Sequence, residues 1–344
     1  MTEYKHWCSP MLSRVVPAKL LRFALYQSDD QEVIRNSFAI NFSYGNREIL
    51  LKYVGLDYSH QIIGILEHGV QEDWTDFDLL TPRLISGARS KYWAWSYDTE
   101  LLAISRGFSH VKAIGAPWYY MKRNLVEKAS FKEKQSNRIL IMPSHSTGNA
   151  VDKATVSMKQ ARAKMFRDIV GNTPATVCLH AVDFCDVETY RAFQDFGFQI
   201  TCIGNSWQQP IWSSAGSRVR MMFNLHELFL NHTHYLSDGY GTSLNYAIDM
   251  GLKIGIFPDI KKGQILGNDW SKSEEFFNNL YKLEKDYLHE KFPKLINNFG
   301  DSAEYLHFAE AKLGLDCVRD PDELLDLLDY RANVYPSELG VEPW

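Results

Sequence analysis

Short apolar runs alternate along the chain with longer stretches in which apolar residues return every three or four positions, the pattern of strands separated by helices. In the first half "QIIGILEHG" reads as a strand, followed after a polar loop by the strand "KYWAWS", a helix over "DTELLAISRG" and a strand over "HVKAIGAP". Asp98 suits the N-cap or first turn of that helix, and Gly107 its stop. The stretch "WYYMKRNLVEKASFKEKQSN" ends in a polar, lysine-rich linker. A second series starts at "RILIMPSHSTG" and continues through the helix "SMKQARAKMFRDIV", the strand "ATVCLHAVDF", the helix "VETYRAFQDFG" and the strand "FQITCIGN". Then "THYLSDGYGTSLNYAIDMGLKIGIFPD" reads as strand, turn, helix and strand, and the chain beyond Ile260 as mainly helical. This alternation predicts an α/β protein with parallel sheets. Its expected parts are an α/β domain over 1–135, a Rossmann-like domain over 136–262 and a mainly helical segment over 263–344.

Composition narrows the function classes. The 344 residues exceed one ordinary core, and 45% hydrophobic with 23% charged residues excludes extensive disorder. Basic and acidic residues number 37 and 42, without the dense Lys/Arg blocks that grip a phosphate backbone, so nucleic acid is not an expected partner. The five cysteines are scattered with no CxxC pair, which argues for a reducing compartment and against a zinc or disulfide framework. No apolar run approaches the ~18 residues of a membrane span. A cytoplasmic protein is expected. The basic and apolar stretch "MLSRVVPAKLLRFALY" leaves room for peripheral contact with the inner membrane, although a core or edge element is its plainer reading.

In open parallel sheets ligands sit beyond the carboxyl ends of the strands. Four such ends carry chemistry: Glu67-His68-Gly69; Pro143-Ser144-His145-Ser146-Thr147; Gly204-Asn205; and Ser237-Asp238-Gly239-Tyr240-Gly241-Thr242-Ser243. In the last, Gly239 and Gly241 permit a tight turn. Thr242 and Ser243 then open a helix, so amides, hydroxyls and the helix dipole meet at one point, as a phosphate requires. An ordinary capped turn accounts for the same residues. Ser144, Ser146 and Thr147 add hydroxyls and His145 a donor, though a lone loop histidine is more often merely solvated.

Taken with the "HG" strand end at Glu67-His68-Gly69 and the segment "VKAIGAPWYY", the turn and helix of "SDGYGTSLNYAIDMGLKIGIF" resemble the GT-B glycosyltransferases. More specifically, they are similar to bacterial surface-polysaccharide transferases such as CDP-glycerol glycerophosphotransferases, capsule Kdo transferases and sialyltransferases. The resemblance covers roughly Gln61 to Asp259. It implies two Rossmann-like domains facing across a cleft, with a helical C-terminal tail. It also implies a nucleotide-sugar donor held by the second domain, a glycan or glycolipid acceptor, a base supplied by the first domain at Glu67 or His68, and no metal or other cofactor. Seven residues after Asp238, where many UDP-sugar enzymes and the related epimerases carry a ribose-binding glutamate, stands Asn245. This favours a CMP- or CDP-linked donor. Tyr246 replaces the second acid of retaining enzymes, so inversion is expected. A UDP-sugar enzyme, a sugar-nucleotide epimerase and a non-catalytic glycan-binding partner are the alternatives.

Lesser candidates are Asp76-Phe77-Asp78, which matches a metal-binding Asp-x-Asp pattern but suits an N-cap; His232 and His234, expected as a surface pair; and His180 with Asp183 after a strand. Trp118 and Trp207, beside strand ends, are candidates for stacking on a sugar, against a default of core packing.

Overall fold

A computed structural model describes residues 41, 43–58, 60–62, 64–70, 72, 91–106, 108, 110–126, 137–144, 155–204, 215–261, 274–328 and 330–331. In chain order its elements are α1 (Asn46–Tyr53), β1 (Gln61–Ile62), β2 (Ile65–Leu66), β3 (Lys91–Ala94), α2 (Tyr97–Ser105), β4 (His110–Ala113), α3 (Pro117–Val126) and β5 (Ile139–Ile141). There follow α4 (Val156–Val170), β6 (Ala175–Cys178), α5 (Ala181–Cys185), α6 (Val187–Asp195), β7 (Gln199–Thr201), α7 (Ala215–Leu230), β8 (His234–Ser237), α8 (Thr242–Asp249) and β9 (Lys253–Ile256). The last are α9 (Glu274–Lys291), β10 (Phe299–Gly300), α10 (Leu306–Leu313), α11 (Pro321–Leu327) and β11 (Tyr330–Arg331). The α/β class with parallel sheets and a helical C-terminal region is the observed one.

The chain forms two compact units, and neither is continuous in sequence. Of the described residues, one unit holds 41–126, 215–223 and 310–331, and the other 137–204 and 224–309. In the first, β2, β3 and β4 form a parallel sheet in that order. The apolar run "QIIGIL" is not one strand. Gly64 sits at φ 110, and a Cβ there would lie 2.8 Å from the Lys91 carbonyl oxygen, so the chain breaks at this glycine. Upstream of it β1 pairs antiparallel with β11, while downstream β2 pairs with β3. The free edge of β2 is satisfied by a side chain: Asn41 accepts from Leu66 N at 2.7 Å and donates to Gly64 O at 2.9 Å. Helix α2 is capped by Ser96, whose hydroxyl accepts from Thr99 N, and Asp98 and Glu100 are the acids of its first turn.

The second unit is a six-stranded sheet in the order β10-β9-β8-β5-β6-β7, parallel except for β10. Strands β5, β6 and β7 run outward on one side, and β8 then returns to pair with β5 on the other. The order therefore reverses between β5 and β8, which makes their carboxyl ends the topological switch point. Ile139, Ile141, Val177 and Leu236 of the central strands pack with Phe166 of α4 and Phe193 of α6 into one core. Each such side chain contributes about 1.5–3 kcal/mol on burial. Helix α4 buries Lys159, Arg162, Ala163, Phe166 and Val170, an i, i+3, i+4, i+7 face that includes two cations.

Lys159 uses that face to tie α4 to the start of α6, donating to Asp186 at 2.6 Å and Glu188 at 3.2 Å. Asp186 also caps α6, accepting from Glu188 N and from the Thr189 hydroxyl. Asp186→Ala is expected to cost about 1–2 kcal/mol, the upper range for a lost cap, as read from the denaturation midpoint. A change well below 1 kcal/mol would show that the cap and the tie contribute little.

Candidate functional site

At the switch point two of the expected residues meet directly. Asp238 follows β8 and is fully buried (0% exposed), and its Oδ1 accepts the Ser144 N–H at 2.6 Å beyond β5. Its Oδ2 accepts from Arg162 Nε at 3.1 Å and Nη2 at 2.5 Å, and the same Nη2 reaches Ser144 O at 2.8 Å. The three residues close a ring that joins the two strand ends to α4. A buried carboxylate is tolerable here because a guanidinium and an amide satisfy it. Asp238 thus shapes the crevice from below.

The glycine turn that follows is braced from several sides. Ser237 Oγ donates to Gly239 O at 2.9 Å and accepts from Gly239 N at 3.2 Å. Tyr240 N donates to Glu284 of α9 at 2.8 Å, and the Tyr240 ring lies 5.0 Å from that of Tyr287 on the same helix. Gly241 is extended at the N-cap of α8, and no side chain caps the helix. Thr242 and Ser243 are half-buried in its first turn, where the helix dipole presents its positive end. The Ser243 hydroxyl lies 2.8 Å from Tyr235 OH. Asn245 is buried and turned back on the turn, donating to Tyr240 OH and Gly241 O, both at 3.3 Å. Its Oδ1 has no partner.

Gly204 is exposed beyond β7, the edge strand, two positions from β5 in the sheet and so about 10 Å from the switch point. His180 opens α5 beyond β6, its carbonyl accepting from Phe184 N at 2.8 Å. His145, Ser146, Thr147, Asn205, Asp76, Asp78 and Trp207 lie outside the described residues. His232 and His234 are not a surface pair. His232 is buried, one ring nitrogen 2.6 Å from Leu228 O and the other 3.0 Å from Thr176 Oγ1, and burial pushes its pKa down. Both precede or start β8, at the end of the sheet opposite the switch point. Trp118 is fully buried in the core of its unit and is not available for stacking on a sugar.

In the other unit the strand end Glu67-His68 emerges from β2 against the start of α2. Glu67 is 1% exposed. Its Oε2 accepts the Trp95 N–H at 2.5 Å, and its Oε1 accepts the Thr99 hydroxyl at 3.3 Å. The Ser96 hydroxyl donates to Thr99 Oγ1 in turn, so the carboxyl ends a short relay over the helix N-terminus. Burial dominates its titration and raises its pKa to about 8. The Trp95 and Thr99 hydrogen bonds and the Lys312 cation oppose that rise, and Glu72 adds to it. His68 is half-buried, and desolvation lowers its pKa to about 4. Two neighbouring groups are thus driven apart, leaving a neutral imidazole beside a neutral carboxylic acid at pH 7. No group of three or more His, Cys, Asp or Glu placed to hold a metal occurs among the described residues.

Arg162, Glu284, Thr99 and Lys312 had not stood out in the sequence. For Arg162 a signal existed, since it falls on the apolar stripe of α4, where a charge must find a partner.

No family model and no curated protein matches the chain. Among solved structures it is similar to an S. aureus MnaA–UDP co-structure, with 14% identity over 79% of this chain and 73% of that one, at a TM-score of 0.36. It is also similar to the wall teichoic acid polymerase TagF, with 14% identity over 78% of this chain and 67% of that one, at a TM-score of 0.32.

Proposed function

We propose that the chain is a GT-B-type glycosyltransferase that takes a sugar from a nucleotide donor and passes it, with inversion and without a metal, to a glycan or glycolipid acceptor of a bacterial surface polysaccharide. The observation that carries this reading is the α8 start at the switch point. A braced glycine turn, an N-terminus without a side-chain cap and the buried Asp238–Arg162 pair converge where an open parallel sheet receives a phosphorylated ligand. In this reading the α8 start holds the donor phosphates and stabilises the leaving group. Asp238 and Arg162 hold Ser144 and the turn in place without touching the donor. Asn245 stands where a carboxylate would bind ribose, which favours a CMP- or CDP-linked donor. His68, unprotonated at neutral pH, takes the proton of the acceptor hydroxyl. Glu67, tied to Trp95 and Thr99, orients the strand end. The enzyme works in the cytoplasm, with its acceptor at the inner membrane.

The test is a melting-temperature panel of CMP, CDP, UDP, GDP, ADP and their sugar conjugates, with and without magnesium, followed by turnover of whichever conjugate binds. A ligand at about 100 times its Kd adds ~2.7 kcal/mol, enough to raise the melting temperature by several degrees. A cytidine response that ignores magnesium supports the full reading, and a uridine response keeps the transferase but overturns the donor. Silence across the panel would remove the nucleotide site.

A further inference from the structure

Helix α10 returns to the Glu67-His68 strand end from far along the chain, and its end is locked there. Ala116 N donates to Leu313 O at 2.8 Å. Gly314 takes φ +65 so close to Trp95 that a Cβ would lie 1.8 Å from the Trp95 carbonyl oxygen. Trp95 is the residue whose N–H holds Glu67. Two residues before Gly314, Lys312 Nζ lies 3.0 Å from Glu72 Oε2 and 3.4 Å from Asp98 Oδ2. The Lys312 and Glu72 side chains are 13% and 7% exposed. Losing one partner of an ion pair so shielded leaves the other charge buried, so the pair holds Glu72 and the last turn of α10 to each other.

We propose that Lys312 is a positioning residue for the Glu67-His68 edge, clamping Glu72, five residues after Glu67, against the start of α2. This rests on the reading of that edge as the catalytic one. Among the described residues, Lys312 of α10 and Glu72 act on the Glu67 carboxyl, Glu67 and Arg106 act on Tyr92 of β3, Asp98 of α2 pairs with Lys312, and His68 is the next residue in the chain. Among the described residues, Lys312 is a cation that lowers the Glu67 pKa and Glu72 an acid that raises it. Removing either therefore moves Glu67 in opposite directions, which loosened packing alone would not do.

The experiment follows the Glu67 carboxyl by carbon-13 NMR in selectively labelled protein, with Glu67→Gln assigning the signal, alongside the pH dependence of kcat/KM. Lys312→Met is expected to raise the titration midpoint of Glu67 and to carry the alkaline limb of the rate profile upward with it. Glu72→Gln is expected to lower both, and Lys312→Arg to restore them. An unchanged midpoint in folded Lys312→Met protein, or a shift of the same sign in both neutral variants, overturns the proposal. If Lys312→Met does not fold, Glu72→Gln decides alone by the sign of its shift. Opposite shifts of the midpoint in a protein that turns over no sugar nucleotide support the electrostatic clamp and sink the transferase reading instead.

Discussion

Arg162→Met is expected to lower the stability of its unit by about 3–5 kcal/mol, the cost of leaving one member of a buried ion pair without its partner. Asp238 is fully buried and accepts its hydrogen bonds from the Ser144 amide and the Arg162 guanidinium. Methionine fills the volume of the arginine stem but supplies neither charge nor donor, so the buried Asp238 loses the guanidinium that satisfies it. Ser144 O loses its contact with the guanidinium at the same time, freeing the strand end after β5. Arg162→Met combined with Asp238→Asn should recover most of the loss, because no buried charge then remains. Urea denaturation of the wild type, both single variants and the double variant measures the coupling. A single-variant loss below 1 kcal/mol, or strictly additive effects, would show that the pair does not hold the switch point together. Nucleotide-induced stabilisation should weaken in Arg162→Met even where the protein remains folded, since the turn before α8 shares the Asp238 anchor.

Periodicity and strand-end chemistry made part of this arrangement legible in advance. The runs at "KYWAWS", "RILIMP" and "THYLSDG" formed strands because apolar residues flanked by turn residues leave a buried parallel sheet few alternatives. Ser144 and Asp238 could be named because both follow such runs. What joins them could not: Arg162 lies 76 residues from Asp238, and its helix shows only that a cation occupies an apolar stripe. Distance in sequence hid Lys312 more completely, since Glu72 is 240 residues away. Local ambiguity concealed other details. Ser96 and Asp98 are both sound cap residues, and it is Ser96 whose hydroxyl accepts from Thr99 N while Asp98 falls in the first turn. Gly64 looked like one member of an apolar run, yet its positive φ divides that run between two sheets. The burial that drives the pKa values of Glu67 and His68 apart depends on tertiary packing and has no counterpart in the order of residues.

His68→Ala is expected to lower kcat by 10²- to 10⁴-fold, the range for a lost general base, with little change in the affinity for the donor nucleotide. Glu67→Gln should behave differently. Glutamine keeps an oxygen to accept the Trp95 N–H, and its amide can donate to Thr99 Oγ1 once that hydroxyl turns away from the position where it now donates to Glu67. With His68 titrating near 4 and Glu67 near 8, the wild type should show a bell-shaped kcat/KM profile bounded by those values. Glu67→Gln should keep most of the activity and lose the alkaline limb. If Glu67→Gln instead loses 10²- to 10⁴-fold in kcat while His68→Ala stays active, the carboxylate is the base and the roles reverse. Stability carries the same two shifts with opposite signs. Glu67 binds a proton more tightly in the folded state, so its contribution is full below its ordinary 4.5 and is lost as the pH rises through about 8. His68 binds its proton less tightly than in the unfolded chain, so its contribution is full above its ordinary 6.5 and is lost as the pH falls through about 4. Glu67→Gln should therefore flatten the fall in stability between about 4.5 and 8, and His68→Ala the fall between about 6.5 and 4. These are effects on folding alone, readable whether or not the acceptor has been identified.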